Sequence, residues 1–222
     1  MIVLHYTGMR TAAEALERLC DPASEVSAHY VIGEDGTLHP LVPEDKRAWH
    51  AGKSHWAGLT DINSASIGIE LVNPGHEFDY RPFPPQQLQK TVSLCKTIIE
   101  KYNIKPHHIL GHSDVAPARK VDPGHLFPWQ ALAEQGIGLW PQATAMDRDA
   151  AADLQNDTDA FHALLCGYGY DPEADFEDVL TAFHRHFCPD KFQNWDDRPP
   201  ADAASAATLL ALLRARNAAE NL

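Results

Sequence analysis

The 222-residue chain predicts an α/β domain, with a mixed central sheet flanked by helices, followed by a small bundle of three helices. Short apolar runs at 2–7, 66–72 and 107–112 alternate with longer stretches of helical periodicity. Two further runs flank Asp35-Gly36, a pair that accepts positive φ and so marks a hairpin. Beyond residue 153 the apolar patterns have helical spacing and no strand character.

The opening IVLHYT has the β-branched character of a buried central strand and ends on the polar pair His5-Tyr6. A helix over about 11–20 follows, and SAHYVIGEDGTLHPLV reads as two strands around the Asp35-Gly36 turn. SIGIELV, residues 66–72, is a further strand with Glu70 as its one charged residue. The turn-rich VNPGHEFDYRPFPP leads into a helix over about 85–102, where Leu88, Val92, Cys95, Ile99 and Tyr102 recur at helical spacing. HHILGH predicts the last strand, and GHSDVAPARKVDPG, fenced by proline and glycine, predicts a loop without regular structure. The expected organisation is a domain over 1–140, a polar alanine-rich linker over 141–153, and a helical unit over 154–222. The helices of that unit are expected at roughly 151–167, 174–187 and 202–216.

A hydrophobic fraction of 44% and a charged fraction of 22% are ordinary for a soluble globular protein. The net charge of -13 argues against nucleic acid as a partner. Four widely spaced cysteines without a CxxC pair read as free thiols, with a Cys166–Cys188 bridge as the alternative. The sequence shows no basic leader, no cleavable apolar run and no stretch able to span a bilayer. The expected location is cytoplasmic, or the periplasm or cell envelope if a leader is missing.

His5 and His112 each end an apolar run, and strand ends on one edge of a layered sheet converge on a crevice. With Asp122 they offer two nitrogens and a carboxylate, the donor set of a catalytic zinc site that keeps a fourth position open. Taken singly, each histidine is more often a satisfied structural residue than a ligand. Glu70 is costly to bury without a partner. It reads either as a salt-bridged core glutamate or as a general base.

LHYTGM, SAHYVIGEDGTLHPLVPEDKRAWHAG, INSASIGIELVNPG, YRPFPPQQ and GHSDVAPARKVDPGHLFPW follow one another across residues 2–129. On this ordered set the chain resembles the zinc-dependent N-acetylmuramoyl-L-alanine amidases, the type 2 amidases that share a fold with peptidoglycan recognition proteins. The resemblance implies Zn2+ held by His5, His112 and Asp122, with Glu70 as catalytic acid or base. It implies that Lys120 faces the developing oxyanion, and that His50, Trp49 and Asn63 line the substrate cleft. The implied reaction is hydrolysis of the amide between N-acetylmuramic acid, or its anhydro form, and L-alanine in peptidoglycan or anhydromuropeptides. His29 is expected to hold a ligand's orientation, Trp56 to face a sugar or pack in the core, and Arg119 to fix the loop. His107, His108 and His125 are expected to be exposed or loop-ordering.

LLCGYGY and DFEDVLTAFHRHFCP are similar to a three-helix peptidoglycan-binding domain. That implies wall binding, with packing or dimerisation as the alternative. Non-catalytic recognition proteins of this family lose metal ligands, whereas His5, His112, Asp122, Glu70 and Lys120 are all present. A zinc peptidase of the HExxH type is excluded, because His76-Glu77 runs on into Asp79 and Tyr80 where that motif requires histidine.

Overall fold

Side chains alternate faces along a strand, and that alternation organises the sheet. The structure, a computed structural model, describes residues 1–192 and 198–221. Its strands are β1 (Ile2–Tyr6), β2 (Tyr30–Ile32), β3 (Leu38–Pro40), β4 (Ile67–Leu71) and β5 (Ile109–Gly111). They form one sheet in the order β3-β2-β4-β1-β5, in which only β3 is antiparallel to its neighbour. The antiparallel pair is the expected hairpin, with Gly36 at φ 82° in its turn.

Helices α1 (Ala12–Cys20), α2 (Ile62–Ala65) and α3 (Pro85–Tyr102) lie between the strands, and α4 (His112–Val115) and α5 (Trp129–Ala133) follow β5. One face of the sheet presents Ile2, Leu4, Ile67, Ile69, Leu71 and Ile109 to Leu94, Cys95 and Ile98 of α3. The other face carries Val3 and Leu110. The buried side of α3 is turned from the expected stripe. It centres on Gln87, Thr91, Leu94, Cys95 and Ile98, while Leu88, Val92 and Ile99 are half-buried and Tyr102 is exposed. The cause is polar: Gln87 Nε2 donates to Ile32 O and Val72 O at 2.9 Å each, satisfying carbonyls at the sheet end.

The C-terminal part departs further from expectation. Among the described residues four α-helices occupy it, α6 (Ala145–Leu154), α7 (Thr158–Tyr168), α8 (Phe176–Phe187) and α9 (Ala203–Glu220). The segment 141–153, expected as a linker, is mostly α6, begun by a capping box between Thr144 and Asp147. The single helix expected over 151–167 is two, because Asp157 caps a new helix through Ala160 N–H. Residues 193–197 and 222 of the expected 154–222 unit lie outside the described residues.

These helices do not enclose a core of their own. Phe161, Leu165, Tyr168, Tyr170, Val179, Leu180 and Phe183 join Val3, Ala51, Trp56, Ile62, Leu110 and Val115 in one continuous apolar cluster. Trp56, 1% exposed, stands edge-on to Tyr168 and Tyr170 at centroid distances of 5.5 and 5.1 Å. Ala57 N–H donates to Gly169 O at 2.8 Å. All four cysteines are free, so the Cys166–Cys188 bridge is not formed. No helix among the described residues is long and apolar enough to cross a membrane.

A shared core predicts one cooperative transition. Thermal unfolding followed by near- and far-ultraviolet circular dichroism should give coincident curves, and an early step confined to helix content would contradict the shared core. Gly169 has φ 151° and an added Cβ would lie 2.8 Å from Trp56 Cε2. Gly169→Ala should therefore cost about 1–3 kcal/mol, lowering Tm by roughly 2–4 °C per kcal/mol.

Candidate active site

Three parallel strands deliver the chemistry in a row. His5 of β1 and Glu70 of β4 face each other in register, and Leu4 of β1 faces Gly111, the last residue of β5. His5, Glu70 and His112 thus emerge side by side at the carboxyl edge of the sheet, the edge where open α/β sheets bind ligands.

GHSDVAPARKVDPG is not wholly irregular. His112 opens the single turn α4, tied to β5 by Gly111 N–H donating to Asp114 Oδ2 at 2.7 Å. Ala116 O then accepts from both Arg119 and Lys120 N–H, which reverses the chain. Ser113 N–H donates to Asp122 O at 2.9 Å and brings the aspartate back beside His112.

His5 Nδ1 lies 2.9 Å from His112 Nδ1, and each nitrogen lies 3.1 Å from Asp122 Oδ2. All three residues are buried. Their tautomers follow from what holds the other nitrogens. His112 Nε2 is 3.1 Å from Ala51 O, and a carbonyl only accepts, so in the neutral ring Nε2 carries the hydrogen and Nδ1 is bare. For His5 the same deduction runs through two more residues. Ser66 Oγ donates to Ile62 O at 2.6 Å and therefore accepts from His50 Nε2 at 3.3 Å. That leaves His50 Nδ1 bare, to accept from His5 Nε2–H at 3.0 Å. Both neutral imidazoles accordingly aim lone pairs at the carboxylate oxygen.

Three acceptors facing one another suit a cation between them. Tetrahedral zinc with ligands at about 2.0–2.1 Å would hold ligand atoms roughly 3.3 Å apart, close to the spacing seen here. The residues fit a divalent metal, and they are the one such His/Cys/Asp/Glu group among the described residues. Burial, with His112 beside it, pushes the His5 pKa down to about 4 and favours the bare nitrogen.

Glu70 is half-buried in the groove wall, its Oε2 enclosed and without a hydrogen-bond partner. Burial first, then the charge of Asp122, raises its pKa well above the ordinary value, and Lys120 pulls it partly back. Among the described residues no salt bridge reaches Glu70, so the reading of it as a paired core glutamate does not hold. Above these groups opens a groove of about 770 Å³, lined by Tyr6, Glu70, His112, Lys120 and Asp122, with Trp49 and Phe78 among its aromatic wall residues.

The other expected contacts divide. Trp49 is 49% exposed on the groove. His50 lines the groove but is 8% exposed, with both nitrogens engaged inside the protein, so its work is to orient His5 rather than to contact substrate. Asn63, 7% exposed, spends its Oδ1 on His50 and Ala51 N–H at 2.9 and 2.8 Å, and fixes the backbone that meets His112. Arg119 donates to Ala51 O and Lys53 O and pins the same segment. His29 bridges Lys46 O and Gly68 N–H, one step behind His50. Trp56 is core, and His107 is buried rather than exposed.

Two residues that the sequence reading passed over matter as much. Ser66 ends the proton chain behind His5. Gly68 makes room for it, since an added Cβ would sit 2.4 Å from His50 Cγ. A glycine inside an otherwise apolar strand is the available signal for such a close approach.

With this geometry in place, comparison with known proteins is informative. The Amidase_2 model, N-acetylmuramoyl-L-alanine amidase, matches residues 1–125. The chain is 40% identical over 233 aligned residues to the N-acetylmuramoyl-L-alanine amidase AmiD of Escherichia coli, spanning 96% of this chain and 82% of that protein. It is 44% identical over 104 residues to the 1,6-anhydro-N-acetylmuramyl-L-alanine amidase AmpD of Enterobacter cloacae, spanning 47% of this chain and 54% of that protein. The structure of AmiD in complex with anhydro-N-acetylmuramic acid-L-Ala-D-gamma-Glu-L-Lys matches with a TM-score of 0.83 at 38% identity, over 97% of this chain and 88% of that one. AMPDH3 from Pseudomonas aeruginosa matches with a TM-score of 0.84 at 32% identity, over 98% and 92%. The family match covers the strands and loops that carry His5, Glu70, His112, Lys120 and Asp122, and the similarity to AmiD runs on through the C-terminal helices. The chain belongs to the Amidase_2 family and is an N-acetylmuramoyl-L-alanine amidase.

Proposed function

We propose that this amidase holds zinc on His5, His112 and Asp122 and cleaves the bond between N-acetylmuramic acid and L-alanine, with anhydromuropeptides as its substrates. The observation that carries the reading is the set of bare donor atoms facing one another, two imidazole nitrogens whose hydrogens are committed elsewhere and one carboxylate oxygen. The solved complex of AmiD with an anhydromuramic peptide supports the substrate class.

When bound, zinc supplies a Lewis acid that polarises the carbonyl and makes water acidic enough to attack near neutral pH. Glu70, enclosed and unpaired, takes a proton from the attacking water and passes it to the departing alanine nitrogen, so that water and amide become acid and amine. Lys120 lines the groove and places its charge where the carbonyl oxygen becomes negative. Arg10 and Arg18 line the same groove and suit the carboxylates of a stem peptide, within an otherwise acidic protein. Trp49 and Phe78 offer exposed rings to a sugar face.

Chelation should abolish turnover and added zinc should restore it; full activity in protein shown to be metal-free would end this reading. Product analysis on an anhydromuropeptide should yield free anhydromuramic sugar and an intact peptide, and a shortened peptide would contradict the assigned bond. Gly68→Ala displaces the His50 ring and should weaken zinc affinity by about 10–100-fold, measured by competition with a chromophoric chelator.

Glu70→Gln should lower kcat by at least about 100-fold while keeping the metal. Because the folded pKa of Glu70 is raised, the unfolded chain ionises first as pH climbs, so wild-type stability is lost between the unfolded value and the higher folded one. The Gln variant should therefore melt higher than wild type at pH 7, with the gap closing below about pH 4. Equal melting temperatures at pH 7 would show that Glu70 is not held unpaired in the folded protein.

A further inference from the structure

Outside the groove, Asp114, 1% exposed and two residues beyond His112, is a buried charge with three hydrogen-bond donors. Its Oδ2 accepts from Gly111 N–H at 2.7 Å and from His186 Nδ1 at 2.7 Å, and its Oδ1 accepts from Tyr170 OH at 2.9 Å. The last two donors come from the C-terminal helical region, His186 from α8 and Tyr170 from the stretch after α7. Both are buried, and the His186 ring is held flat between Trp129 and Phe187 at centroid distances of 3.7 and 3.9 Å.

A buried carboxylate with charge-assisted bonds to three elements is a rigid anchor. The element anchored is α4, whose first residue is His112. The opposite side of His112 is fixed by the same region. Its Nε2–H meets Ala51 O, and the segment beyond Ala51 ends in Trp56, whose ring packs against Tyr168 and Tyr170. Val115 O, at the end of α4, accepts from His55 N–H at 2.8 Å and closes the loop between the two.

We propose that Tyr170 and His186 are positioning residues for the metal centre: acting through Asp114, they set where His112 Nδ1 points. The C-terminal helices are on this view part of the catalytic apparatus rather than an appended binding module. The inference rests on the metal reading above, and its test is built to separate the two.

The apo protein would be titrated with zinc against a chromophoric chelator, and the visible spectrum of the cobalt-substituted protein recorded, for wild type, His186→Leu, His186→Asn and Tyr170→Phe. His186→Leu removes the donor to Asp114, whereas the amide nitrogen of His186→Asn can occupy the place of Nδ1. Zinc affinity should fall about tenfold with a changed cobalt spectrum in His186→Leu and Tyr170→Phe, and return towards wild type in His186→Asn. Lower melting temperatures with wild-type affinity and spectrum would make the network structural only and overturn the proposal. Should His186→Leu fail to fold, Tyr170→Phe, which removes one oxygen atom, decides by the same two readouts. Failure of the wild-type protein itself to bind zinc would overturn the metal reading, and this inference with it.

Discussion

The positions of two hydrogens govern the rest of this structure. One is on His112 Nε2, fixed by Ala51 O, and the other is on His5 Nε2, fixed through His50 and Ser66 by Ile62 O. Backbone carbonyls cannot donate, so each chain of bonds has a direction, and both directions leave a lone pair facing Asp122. Features that look unrelated serve this end. Gly68 admits the His50 ring, Asn63 and Arg119 hold the Ala51 segment, and Ser113 N–H draws the aspartate in.

The same constraint separates the two carboxylates of the site. Asp122 faces the bare nitrogens of His5 and His112, where a cation would favour its charge. Glu70 has no hydrogen-bond partner for its enclosed oxygen and is pushed the other way. Environments that drive two acids apart assign one to holding a cation and the other to carrying a proton. Parallel register places Glu70 beside His5, its neighbour across strands, and the chain reversal after β5 returns Asp122 to the same site.

Much of this was legible in the sequence where a residue contradicts its surroundings. His5, Glu70 and His112 stand out because apolar runs end in, or contain, groups that need partners. The hairpin was legible from Asp35-Gly36, whose glycine takes φ 82°. What could not be read was the polar group that hides by bonding locally. Gln87 and Thr91 belong to the buried face of α3 because they bond to main-chain carbonyls, which periodicity of apolar residues does not register. Helix α6 was missed for the opposite reason, since alanine favours helix strongly but draws no stripe. The Asp114 network joins residues 72 positions apart, and nothing local in AFHRHF reveals which of its two buried histidines meets that carboxylate.

The continuous core has a consequence for how such a chain could be rearranged. A binding module on a tether can be exchanged between catalytic domains, because the surface it leaves behind is already finished. Here the indole of Trp56 packs edge-on against Tyr168 and Tyr170, and the carboxylate of Asp114 takes two of its three hydrogen bonds from Tyr170 and His186. Moving the last four helices to another partner would leave an apolar socket and a carboxylate that has lost two of its three donors. In this chain the catalytic part and the helices that follow it are therefore matched to each other at one shared core.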